Sequence, residues 1–343
     1  AALAAVSESA AGEATALLDF DPARIVDTAE AADSLFHPLS LSPAQSRALR
    51  QSFGITKPFV FYAGGGDPRK NLAALVRAFS SLASPLRDGH QLVIAGRLSS
   101  GDRGLIELAA TKCGLDPQSL VFLGYVSDPD LARLYNDCAV FVMPSLHEGF
   151  GLPTLEAMQC GAPTIGSNTS SIPEVIGLPE ALFDPREDGE IASKITRVLS
   201  EPAFRQRLID HGLARAATFS WPISAKKIMQ LVETTVSKPT QTRDWPEWRI
   251  FADGLEHSLL NALTELSAQV EPTEQDWLDI AQSIADNRLA LDAGKRSTVL
   301  PDSQSWRIEG PFDSSYSLAL VNRELARGLV TRGHDVALHS AEG

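Results

Sequence analysis

Between Lys57 and Gly166, short apolar β-rich runs alternate with helix-length amphipathic segments, and this alternation restricts the fold more than any other feature of the 343-residue chain. Pro58 to Ala63, Gln91 to Ala95, Leu120 to Leu123, Ala139 to Met143 and Pro163 to Ile165 read as strands, each followed by Gly or Pro punctuation. Asn71 to Leu82, Arg103 to Lys112, Asp130 to Asn136 and Leu152 to Met158 carry apolar residues at helical spacing, with Leu72, Leu75, Val76 and Phe79 showing the period. Strands separated by helices on short loops imply an α/β fold with a parallel sheet covered on both faces. Ligands then belong at the carboxyl ends of the strands.

Beyond this block, Glu187 to Thr218 reads as two surface helices broken at Glu201 and Pro202, and Trp221 to Val236 continues as a third. From Thr240 to Leu300 the strand signal disappears. Three of the five tryptophans fall there (Trp245, Trp248 and Trp277), and eleven acids stand against five bases, so residues 239–304 read as an acidic helical connector. Residues 305–343 resume an α/β pattern with a loop at Gly310 to Ser315, a helix from Ser317 to Thr331 and a strand after Gly333. The chain opens without an initiator methionine or leader and stops just past Val336 to Leu338, which suggests an excerpt from a longer polypeptide. A net charge of −13 argues against nucleic acid or an anionic membrane surface as the main partner, and no apolar run approaches the roughly 20 residues of a membrane helix. Cys113, Cys138 and Cys160 form no CxxC pair; they read as buried thiols in a reducing, cytoplasmic compartment.

Two loops carry chemistry. The first, Gly64-Gly65-Gly66-Asp67-Pro68-Arg69-Lys70-Asn71, joins a strand to a helix. Its glycines permit close backbone approach, the helix start offers unpaired N–H groups, and Arg69 and Lys70 add charge, so a diphosphate fits there. The spacing is neither GxGxxG nor a Walker loop, and a Gly-Pro turn with solvated bases remains open. The second is Glu148-Gly149-Phe150-Gly151-Leu152-Pro153-Thr154-Leu155-Glu156. Pro153 suits a first helical turn, which leaves the amides of Gly151 and Leu152 at a helix N-terminus with Glu148 just before it and Glu156 about a turn inside. Carboxylates accept hydrogen bonds only, so they are natural partners of sugar hydroxyls, although two glutamates at this spacing also occur on solvated faces.

Together these segments resemble the C-terminal domain of the retaining, GT-B-fold glycosyltransferases whose signature is Glu, seven residues, Glu (glycosyl transferases group 1). The resemblance runs from about Val6 to Val236. It rests on Pro68 to Leu72, Phe122-Leu123-Gly124-Tyr125-Val126, Glu148 to Met158, Ser167 to Val175 and Trp221. It implies a Rossmann-like donor domain over residues 41–238, with residues 1–40, including Val6-Ser7-Glu8 and Phe36-His37-Pro38, as the tail of a preceding acceptor domain. Residues 305–343 resemble the opening of a second GT-B N-terminal domain through Gly310-Pro311-Phe312-Asp313 and Arg332-Gly333-His334-Asp335-Val336. Carried over by position, Arg69 and Lys70 would bind the donor diphosphate beside Gly65 and Gly66, where many relatives have a further Arg. Glu148 would hold hydroxyls of the transferred sugar, and the amides of Gly149, Phe150, Gly151 and Leu152 would face sugar and phosphate. Glu156 would bind the ribose diol, and Tyr125 and Val126 would line the base. Ser170 and Ser171 are weaker candidates.

The activity implied is transfer of a sugar from a GDP- or UDP-linked donor, GDP-mannose by inclination, to a saccharide or lipid-linked saccharide acceptor in polysaccharide assembly. Cations and amides would offset the charge growing on the departing diphosphate, so no metal or other cofactor is required. A non-catalytic nucleotide-sugar-binding module and a nucleotide-sugar epimerase on the same fold compete with this reading, and a dehydrogenase would need the missing GxGxxG.

Overall fold

The computed structural model describes residues 2–236, 305–310 and 335–340. Its strands are β1 (Leu3–Ala5), β2 (Ile25–Asp27), β3 (Phe59–Ala63), β4 (Gln91–Ala95), β5 (Leu120–Gly124), β6 (Val140–Met143), β7 (Thr164–Ser167), β8 (Leu182–Phe183), β9 (Ser305–Gly310) and β10 (Asp335–Ser340). The helices are α1 (Glu8–Leu18), α2 (Pro43–Ser52), α3 (Leu72–Ser80), α4 (Ser84–Gly89), α5 (Ser100–Lys112), α6 (Asp128–Asp137), α7 (Leu152–Gln159), α8 (Ile172–Ile176), α9 (Asp188–Ser200), α10 (Pro202–Ala216) and α11 (Trp221–Val236).

Six strands form one all-parallel sheet in the order β5-β4-β3-β6-β7-β8. The chain builds outward from β3 through β4 to β5, then returns to lay β6 on the other side of β3. α3 packs beside α5 and α9, and α7 beside α6 and α10, as expected where right-handed crossovers put the helices of the two halves on opposite faces. Each central strand is buried on both faces: Phe59, Val60, Phe61, Tyr62, Leu92, Val93, Val140, Phe141 and Val142 have no exposed surface. On α3, Leu72, Leu75, Val76 and Phe79 are buried as their spacing predicts, each worth about 1.5–3 kcal/mol of transferred apolar surface. The break between α9 and α10 falls at Glu201, where Pro202 cannot donate to the preceding turn and instead starts the next helix.

The parallel sheet and its alternating helices agree with the sequence, and differences lie at margins. β7 runs on to Ser167, and β8 is an edge strand of two residues that no apolar run announces. Residues 2–28 form a separate parallel β1–α1–β2 unit. Cys138 and Cys160 are buried, but Cys113, expected inside, is exposed: it caps the C-terminus of α5 beyond the face that packs on the sheet. The strands β9 and β10 pair in parallel, from Ser305 beside Asp335 to Gly310 beside Ser340. The connector expected at 239–304 and the loop and helix expected within 311–334 lie outside the described residues. Among the described residues no helix is long and apolar enough to cross a membrane.

Candidate functional site

The order reverses between β3 and β6, and the loops that leave the carboxyl ends of these two strands are the two loops singled out by sequence. The first loop begins with an unusually close backbone approach. Gly64 N–H donates to the Ala95 carbonyl at 2.9 Å, and Gly96 adopts φ 133°, where any Cβ would overlap the Gly64 carbonyl. Tyr62 is fully buried and donates its hydroxyl to the Gly65 carbonyl at 2.8 Å. Burial raises its pKa well above the usual phenol value, with Glu148 and Asp67 adding to the effect, so it remains a donor at neutral pH.

Pro68–Lys70 make a single 3₁₀ turn that ends at Asn71, held at φ 59°. The Asn71 side-chain amide donates to the carbonyls of Pro144 at 3.1 Å and Pro185 at 2.7 Å. Leu146 N–H donates to the Arg69 carbonyl at 2.7 Å. These bonds fasten the first loop to the second and bring its cations to Glu148. Lys70 Nζ lies 2.7 and 2.9 Å from the two Glu148 oxygens, and Ser145 Oγ donates to Oε1 at 2.6 Å. Arg69 stands further out, its side chain half exposed, 3.0 Å from Asp67 Oδ1 and 3.8 Å from Glu148 Oε2. Glu148 itself is only 7% exposed.

The backbone around Glu148 is held by the loop that follows β7. Glu148 N–H donates to Ser170 Oγ at 2.9 Å, and Ser171 Oγ lies 3.1 Å from the Glu148 carbonyl and 2.8 Å from that of Phe150. From the other end of the sequence, Ser7 Oγ donates to the Gly149 carbonyl at 2.6 Å. Gly151 turns the chain into α7 at φ 100°, and a Cβ there would come within 2.6 Å of Ile172 Cδ1. The N–H groups of Gly149, Phe150, Gly151 and Leu152 meet no protein acceptor among the described residues, which leaves a cluster of donors at a helix N-terminus.

Glu156 stands on α7 about 6 Å along the axis from Leu152. It makes no direct bond to the Lys70–Glu148 group. Its Oε2 accepts from Tyr135 OH at 3.0 Å, and Tyr135 is buried in an edge-to-face cluster with Phe36, Phe61 and Phe141 at 5.9, 5.5 and 5.4 Å. Burial pushes the Glu156 carboxyl up to about 7, the Tyr135 bond opposes that rise, and Asp128, Asp33 and Glu30 add to it. Tyr125 follows β5 as an exposed ring with the Arg97 guanidinium 5.1 Å from its centroid, and Val126 is buried.

The structure thus brings Arg69, Lys70 and Glu148 together, with the α7 amides following Glu148 in the chain, and shows no direct contact from Glu156, Tyr125 or Val126 to that group. Ser145, Arg97 and Tyr135 had no role in the sequence reading, and Asn71 entered it only as the end of the first loop, without its bonds to Pro144 and Pro185. Ser145 had a signal, a hydroxyl three residues before an acid in a tight loop. Tyr135 had none, because its contact with Glu156 joins two helices.

Residues 45–215 match the family described as glycosyl transferases group 1. The chain is 34% identical over 286 residues, 83% of its length, to the serotype-specific mannosyltransferase WbdA of Escherichia coli, of which it covers 34%. It is 36% identical over 217 residues, 63% of its length, to the O-antigen chain mannosyltransferase B of Escherichia coli, covering 56% of that protein. The chain therefore spans about a third to a half of the curated relatives it matches. Among solved structures it resembles the sucrose-phosphate synthase tll1590 of Thermosynechococcus elongatus, with a TM-score of 0.58, 26% identity, and coverage of 68% of this chain and 57% of that one.

Proposed function

Since residues 45–215 belong to the glycosyl transferases group 1 family, we propose that the chain forms the donor-binding part of a retaining mannosyltransferase that builds a polysaccharide from a nucleotide sugar, GDP-mannose in the first instance. The observation that carries this reading is the Lys70–Glu148 pair between the two switch-point loops, beside the free amides that begin α7. Buried carboxylate, cations and unpaired N–H groups are what a ligand bearing both hydroxyls and a diphosphate requires.

In this reading the bond from the anomeric carbon to the diphosphate oxygen breaks through an oxocarbenium-like state, the acceptor hydroxyl oxygen forms the new bond to that carbon, and its proton passes to the departing diphosphate. Lys70, Arg69 and the amides of Phe150, Gly151 and Leu152 stabilise the negative charge growing on the diphosphate. Glu148 accepts from sugar hydroxyls and orients the ring; its engagement with Lys70 and Ser145 suits it to positioning rather than to nucleophilic attack. Glu156 accepts from the ribose hydroxyls, and Tyr125 and Val126 border the base. The mannosyl assignment is supported by the two relatives, both mannosyltransferases by description.

Calorimetric titration with GDP, UDP and ADP tests the site. One diphosphate should bind saturably, and Lys70→Ala should weaken it by about 1–3 kcal/mol, the range of a hydrogen bond to a charged group, while leaving the matching nucleoside almost unaffected. Absence of binding by all three at millimolar concentration would reject the site.

A further inference from the structure

The cations of the site are already paired within the protein. Lys70, with its side chain 14% exposed, is bound to both oxygens of the buried Glu148, while Arg69 lies against Asp67 and leans toward the same carboxylate. Two bases and two acids make this cluster neutral, so an incoming diphosphate meets no uncommitted charge there. Drawing Lys70 toward phosphate leaves Glu148 with Ser145 as its remaining close donor. A buried carboxylate that loses its partner without replacement is costly.

The cost depends on what else the ligand brings. A nucleotide sugar carries hydroxyl donors beside the phosphate, and these can take the place at Glu148 that Lys70 gives up. A bare nucleoside diphosphate carries none there. From this geometry we infer that Glu148 discriminates between the two ligands by competing for Lys70: a sugar-bearing donor replaces Lys70 at Glu148 and frees it for the phosphate, whereas a bare diphosphate engages Lys70 only against the pull of Glu148. The apparent affinity for bare diphosphate is then reduced by the small fraction of molecules in which Lys70 is free. The same contact that orients the sugar thereby promotes release of the spent nucleotide. This rests on the reading of the site as a donor pocket.

The test is calorimetry on the full chain with two matched pairs of probes, GDP with GDP-mannose and UDP with UDP-glucose. Glu148→Gln keeps the shape and removes the charge, so it should bind the bare diphosphate roughly three- to tenfold more tightly and lose the preference for the sugar-bearing form. Ser145→Ala should act in the opposite direction, because a carboxylate deprived of its hydroxyl partner holds Lys70 harder, and it decides the matter if Glu148→Gln does not fold. If Glu148→Gln and Ser145→Ala leave diphosphate binding unchanged, or Glu148→Gln weakens it, while Lys70→Ala still weakens it, the competition is wrong and the donor pocket stands. If the unaltered chain binds neither member of either pair, the donor pocket falls, and this inference with it.

Discussion

In the proposed site Glu156 would face two opposing demands, since burial favours the neutral acid while an ionised carboxylate is the stronger acceptor for a ribose diol. With its pKa moved from 4.5 to about 7 by burial, the folded protein retains a proton that the unfolded chain gives up near 4.5. Its contribution to stability is therefore fully present below about 4.5 and is lost as pH rises through 7. Replacing Glu156 by Gln removes that loss. The variant should exceed the parent in stability by about 1–3 kcal/mol at pH 8, with the gap closing toward pH 5, as read by chemical denaturation across that range. A gap that is constant with pH would show that Glu156 does not titrate in this window. Arg69, Lys70 and Glu148 were singled out through the family resemblance, because each loop taken alone left a solvated turn or face open, and the structure sets their side chains against one another. The role of Tyr135 was not legible, because a phenol acquires its role from the residue it faces, and only the folded chain determines that.

At the scale of elements, the strands and helices from β3 to α7 could be read because each buries a continuous face, and burial leaves a period in the sequence. The short pieces left weaker traces. β8 is two residues long, α8 is five, and the capping box of α2, Ser42 with Gln45, was a readable start signal that was passed over. The junction at Asn71 is held by geometry that sequence does not display. A φ of 59° disfavours any residue with a Cβ, and the side-chain amide holds two carbonyls of other loops. Asn71→Ala should cost about 2–4 kcal/mol in chemical denaturation, combining the left-handed backbone with two lost hydrogen bonds. Asn71→Gly should cost less, since glycine accepts the backbone conformation. Equal losses for the two would mean that backbone strain plays no part, and a loss below 0.5 kcal/mol for both would remove Asn71 from the account.

For the molecule as a whole, the site depends on parts of the chain that are distant in sequence. Ser7 reaches the Gly149 carbonyl, the Glu174 carboxylate receives the amides of Glu8 and Ser9 at the start of α1, and Lys227 of α11 donates to the Asp27 carbonyl at the end of β2. The β1–α1–β2 unit is thus fastened both to the Glu148 loop and to the last described helix of the first block. Such contacts span 142 to 200 residues and leave no local pattern, which is why residues 1–40 read only as the tail of a preceding domain and not as this unit. The central claim is that one ligand spans the loops after β3 and β6. It is tested most directly by a crystal structure of the chain with the nucleotide sugar that titration favours. The account predicts diphosphate oxygens about 3 Å from Lys70 Nζ and the α7 amides, sugar hydroxyls on Glu148, and ribose hydroxyls on Glu156. A nucleotide bound elsewhere, with the Lys70–Glu148 pair undisturbed at 2.7 Å, would contradict it.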